Sequence, residues 1–125
     1  MNTDVRYDRQ LTEKVIGAAI EVSNNLGAGF LEKVYERALL VELRGRGVAV
    51  TSQPKLAVSY KGTVIATYVA DLLVEDALLV ELKCVESLRN EHTSQCLNYL
   101  RASNLGLCLL VNFQRPRLEW KRIAL

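Results

Sequence analysis

The chain has 125 residues, half of them hydrophobic and 24% charged, with a formal net charge of +2. That mix excludes a disordered chain and predicts a single domain over residues 1–125, large enough for one real core. The polar opening MNTDVRYDRQ lacks a signal-peptide pattern, and the longest apolar run, Leu107–Val111, is too short to cross a membrane. Three cysteines spaced twelve residues apart (Cys84, Cys96, Cys108) fit neither a disulfide framework nor a zinc pattern. They read as small core residues in a reducing cytoplasm.

Taken in order, Leu11, Val15, Ala19, Val22 and Leu26 recur at helical spacing, with Asp8 placed to cap the start and Asn24–Gly27 to end it. A second helix follows Gly27-Ala28-Gly29, with Leu31, Val34, Tyr35, Ala38 and Leu39 on one face, and stops at Arg44–Gly47. Val48–Tyr60 reads as a strand that Pro54 bends or confines to a sheet edge. Lys61-Gly62 is a turn, Thr63–Val74 the second strand, Glu75-Asp76-Ala77 another turn, and Leu78–Val85 the third strand. Glu91–Ser103 has helical spacing again, Leu107–Phe113 is a buried strand, and Leu118–Lys121 alternates as a last short one. Hairpin strands followed by a helical crossover predict an α/β fold whose sheet is mixed rather than purely parallel.

Charge is unevenly distributed along this order. From Arg101 onward five bases (Arg101, Arg115, Arg117, Lys121, Arg122) stand against one acid, Glu119, while Glu75–Glu91 holds five acids and two bases. A basic end beside an acidic centre suits a polyanion held near a cation; a solvated strand with spare charge is the plainer account.

The chemistry concentrates in Leu78–Val85. Glu81 and Lys83 are two apart and share a face of an otherwise apolar strand. Buried charges need partners, so either the two satisfy one another, or the face is exposed, or they form a site. A turn centred on Asp76 pairs 74 with 78 and therefore 71 with 81, which sets Asp71 opposite Glu81. Two carboxylates so close repel unless one is protonated or a cation lies between them, and Mg²⁺ or Mn²⁺ suits such an oxygen-rich pair. Lys83 is then placed to contact a phosphate or a water. A two-residue turn would move Asp71 to the other face and remove the site.

Asp71 followed by Glu81-Leu82-Lys83 resembles the signature of the PD-(D/E)xK nuclease superfamily, and the element order resembles its restriction-endonuclease-like αβββαβ core, a mixed central sheet flanked by helices. Gly29-Phe30-Leu31-Glu32-Lys33-Val34-Tyr35 is similar to the motif of the GxxExxY protein family, and the likeness runs from about Leu11 to Ile123. The resemblance implies a Mg²⁺- or Mn²⁺-dependent nuclease of DNA or RNA. Asp71, Glu81, the Leu82 carbonyl and Glu32 would hold the ion, with Lys83 orienting a water or stabilising the oxyanion. Tyr35 would orient Glu32 or belong to the core. Gln95 and Tyr99, four apart on the third helix, resemble the Q-x-x-x-Y element of RecB-like nucleases and would contact phosphate, a metal-bound water or a base. His92, the only histidine, reads as a helix-start residue. The signature proline is replaced by Ala70, and Ser23 and Ala28 depart from the GxxExxY pattern.

The resemblance also implies a homodimer, and the short apolar runs predict no membrane association. Two other readings stand beside it: a non-catalytic nucleic-acid-binding or regulatory module that keeps the fold, and a self-associating protein whose acids form a salt-bridged seam.

Overall fold

A computed structural model describes residues 5–114 and 116–125, with side chains from Arg9 onward. Arg115, one of the basic residues counted above, lies outside the described residues. Helix α1 (Val5–Leu26) buries Leu11, Val15, Ala19 and Val22 at the expected spacing, but it begins ahead of Asp8, which lies within the helix rather than capping it. Helix α2 (Glu32–Gly45) buries Tyr35, Leu39 and Leu43, residues four apart that form one stripe. Leu31, expected on that stripe, precedes the helix and is 79% exposed, and Val34 is exposed as well.

The two expected hairpin strands are each divided. Their lower halves, β1 (Val50–Ser52) and β4 (Leu72–Val74), pair in the main sheet, and their upper halves, β2 (Lys55–Tyr60) and β3 (Thr63–Val69), form a separate two-stranded sheet. The register is continuous, from Val50 opposite Val74 to Val58 opposite Ala66. At the bend the rungs persist, as Gln53 N–H donates to the Asp71 carbonyl (2.8 Å) and Ala70 N–H to that of Pro54 (3.1 Å). Pro54 has no N–H and Gln53 sits at φ 52°, so the hairpin folds away here without losing its pairing. Ile65 is bulged, and Lys61 and Gly62 close the tip with positive φ at both positions, as a type I′ turn requires.

Beyond β5 (Leu78–Lys83), helix α3 (Asn90–Ser103) crosses over to β6 (Leu107–Asn112), which runs parallel to β5, and β7 (Glu119–Ala124) returns antiparallel. The main sheet has the order β1-β4-β5-β6-β7. One face packs on α1 and α2 through Leu72, Val80, Leu82, Leu109 and Val111. The other packs on α3 and Leu56 of β2 through Leu79, Cys108 and Leu110. All three cysteines are free, and no helix among the described residues is long and apolar enough to cross a membrane.

Asn112 locks the end of β6, and the sequence reading did not single it out. It is fully buried; its Oδ1 accepts from the N–H groups of Val85 and Gln114 (both 3.1 Å), and its Nδ2 donates to the Val85 carbonyl (2.8 Å) and Glu119 (3.1 Å). Asn112→Ala is therefore expected to destabilise the protein by about 2–3 kcal/mol, because buried backbone groups lose their partners. Urea unfolding measures it, and a change below about 0.5 kcal/mol would refute the role.

Candidate active site

The turn between β4 and β5 sets the site. Ala77 N–H donates to the Val74 carbonyl (3.0 Å), and Glu75 and Asp76 both sit at φ 53°. Asp tolerates this conformation; Glu75 is held in it by Ala49, which accepts from its backbone N–H and donates to its carboxylate (both 2.8 Å). The result is a three-residue turn pairing Val74 with Leu78, Leu73 with Leu79 and Leu72 with Val80. That is the register that brings Asp71 beside Glu81.

Because the hairpin bends away at Asp71, β5 runs on past Val80 without a β4 partner. The two carboxylates fill the gap. Glu81 Oε1 accepts from Asp71 N–H, and Asp71 Oδ2 accepts from Leu82 N–H, both at 2.7 Å. The second oxygens, Asp71 Oδ1 and Glu81 Oε2, accept no hydrogen bond among the described residues. Glu81 is 3% exposed. Burial and the neighbouring Asp71 charge push its carboxyl up to about 8. Burial also raises Asp71, to about 6; the Leu82 N–H opposes this, and the charges of Glu36 and Glu32 add to it.

Lys83 does not pair with Glu81. Its Nζ donates to Gln95 Oε1 (2.8 Å), and Gln95 Nε2 donates to the Tyr99 hydroxyl (3.1 Å), so both α3 residues singled out in the sequence join one chain of contacts with β5. Burial and the charges of Glu81 and Asp71 raise the Tyr99 hydroxyl to about 12, which keeps its proton at neutral pH.

Glu32 is exposed in the first turn of α2. Among the described residues no three His, Cys, Asp or Glu side chains converge as a metal-holding group, so the acid pair stands without Glu32 in direct contact. Tyr35 is fully buried, stacked on Phe113 (4.8 Å), and its hydroxyl donates to the Gly27 carbonyl and accepts from Phe30 N–H. That ties down the loop ahead of α2. His92 Nδ1 accepts from Arg89 N–H (2.9 Å) at the start of α3, as a helix-start residue should.

Sequence reasoning missed Glu36, which is 6% exposed and paired with Lys33 (3.4 Å). Its charge acts more strongly on Asp71 than that of Glu32 does. Its position one residue after Tyr35, on the edge of the buried stripe, was the available signal.

A mixed five-stranded sheet with an acid pair and a lysine at the point where a hairpin leaves it defines a nuclease-type fold. The chain belongs to the PD-(D/E)XK nuclease superfamily, whose model its sequence matches over residues 9–123. No curated protein matches it. Among solved structures it is similar to SSO0001 (TM-score 0.61, 20% identity), covering 96% of this chain, and it spans only 60% of that one. It is also similar to the alkaline exonuclease LHK-Exo from Laribacter hongkongensis (TM-score 0.54, 15% identity, 99% of this chain and 72% of that). The same exonuclease in complex with dAMP gives a TM-score of 0.52 at 15% identity, over 85% and 75% of the two chains. At these identities the likeness concerns the fold.

Proposed function

We propose that the chain is a divalent-metal-dependent phosphodiesterase acting on DNA or RNA. The observation that carries this reading is the Asp71–Glu81 pair: two buried carboxyls held side by side, both raised in pKa, each with one oxygen left over. That donor set fits a hard divalent cation such as Mg²⁺ or Mn²⁺, which takes one or two carboxylates and completes its shell with waters and phosphate oxygens. Asp71, Glu81 and the Leu82 carbonyl would hold it, with Glu32 reaching it through water. Bound there, the ion lowers the pKa of a water and offsets charge on the phosphate.

The chain's own residues do the rest. Lys83, steadied by Gln95, supplies a cation for a phosphate oxygen beside the acids, and Gln95 and Tyr99 offer neutral donors to the same phosphate. The three free cysteines suit a cytoplasmic setting. Pairing of two copies belongs to the same reading and is supported by β3, which is uncharged, exposed along its length and, among the described residues, covered by no third strand. Sedimentation velocity should show a mass that rises with concentration; a monomer at every concentration removes the pairing.

Calorimetric titration with Mg²⁺ and Mn²⁺, wild type against Glu81→Ala, followed by cleavage of labelled single- and double-stranded DNA and RNA, tests the enzyme. Metal binding lost in the variant, with metal-dependent cleavage by the wild type, is the expected result. Nucleic-acid binding without metal binding or cleavage would instead support the non-catalytic module.

A further inference from the structure

The acid pair does not account for the groove that leads away from it along α3. Two cavities, of about 530 and about 550 Å³, share Tyr68 and Asn98 and so run into one another between α3 and the β2–β3 hairpin. The first is lined by Gln95 and Tyr99, which join it to Lys83; the second is lined by Arg101. Gln95, Asn98 and Arg101 recur every three residues and therefore line one side of α3. Tyr68, at the junction, is 40% exposed, and its ring is backed by that of Tyr99 at 5.5 Å. Arg101 is exposed and steadied by Asn98 Oδ1 (3.1 Å). Glu91 lines the groove at its other end.

We propose that this groove is the track of an unpaired nucleic-acid strand leading to the Asp71–Glu81 pair. A base stacks on the open face of Tyr68, the Arg101 guanidinium takes a phosphate, and the Asn98 amide meets a base edge or sugar. The inference rests on the nuclease reading and deepens it by naming the form of the substrate. An unpaired strand is favoured over a duplex because base faces are covered by their neighbours in a duplex, which leaves an exposed tyrosine ring nothing to stack on. The acid–base order along the groove adds direction. Arg101 draws the strand in at the far end, and Glu91 repels it at the other, beside Gln95, which contacts Lys83.

The test is fluorescence anisotropy in EDTA with a labelled single strand, as DNA and as RNA, against the same sequence as a blunt duplex. Wild type should bind the single strand more tightly than the duplex. Tyr68→Ala should weaken single-strand binding about 5- to 160-fold, the range of base–aromatic stacking, and duplex binding by less than about twofold. Arg101→Ala, a change at an exposed residue that leaves the core untouched, should weaken it too and reduce the salt slope by about 0.7. Equal affinity for duplex and single strand, or unchanged single-strand affinity in Arg101→Ala or in a folded Tyr68→Ala, would overturn the track. Cleavage with added Mn²⁺ is scored separately. A strand preference lost in Tyr68→Ala without any cleavage by wild type keeps the track and refutes the nuclease. Cleavage with unchanged affinity in Tyr68→Ala does the reverse.

Discussion

Glu81→Gln is expected to lower metal-dependent cleavage by at least about a hundredfold while making the metal-free protein more stable at pH 8. The two effects have one cause. Glu81 is a buried carboxyl beside a second one, and burial with the Asp71 charge raises it to about 8. Glutamine keeps an oxygen to accept the Asp71 N–H but removes the ionised form that burial penalises, so the folded state gains on the order of a kcal/mol or more where the acid would be charged. The same change removes a negative oxygen from the acid pair proposed to hold the divalent cation, and losing one electrostatic partner of that kind costs about a hundredfold or more in rate. Urea unfolding and a cleavage assay on the same samples separate the outcomes. A variant that still cleaves at the wild-type rate would remove Glu81 from catalysis. A variant that is less stable at pH 8 would show that the acid pair is a structural seam.

The central feature of this site was legible because it depends on register, and the turn fixes register. Once Glu75-Asp76-Ala77 is a three-residue turn, period-two alternation places Asp71, Glu81 and Lys83 without further information. Helix periodicity placed Gln95 and Tyr99 on one face in the same way, and the structure joins them to Lys83. What local pattern could not show was the bend at Pro54 and Asp71. A proline in a strand announces a disturbance, but only the sheet determines that β4 stops there while β2 and β3 swing toward α3. That bend is why the carboxylates cap unpaired strand edges instead of merely facing one another. It is also why Tyr68, which nothing in the strand's local pattern marks, arrives beside Tyr99. Asn112 was hidden differently. It lies inside the expected strand Leu107–Phe113 with nothing local to mark it, and its partners lie 27 residues earlier at Val85 and 7 residues later at Glu119.

In metal-free buffer, stability should fall as the pH rises from 5 to 9. Both raised carboxyls give this sign. Each favours the folded state fully when the pH lies below its unfolded value near 4, because the folded protein then holds the proton it prefers. The contribution is lost as pH rises through about 6 for Asp71 and about 8 for Glu81. Above that range two negative charges share a buried corner, and the thermal midpoint should drop by an amount on the order of 10 °C. A divalent cation held by the pair would reverse the sign, since it would bind the deprotonated form and displace the protons that stabilised the metal-free protein. At a hundredfold excess over its Kd it would add about 2.7 kcal/mol. Thermal scans in EDTA and in Mn²⁺ should therefore diverge with rising pH, with the Mn²⁺ curve above, and both the divergence and the fall in EDTA should shrink in Glu81→Gln. An EDTA curve that rises from pH 5 to 9 would mean that the two carboxyls are stabilised in their charged form by the protein alone. The pair would then have no need of a cation, and the metal-dependent reading would lose its physical basis.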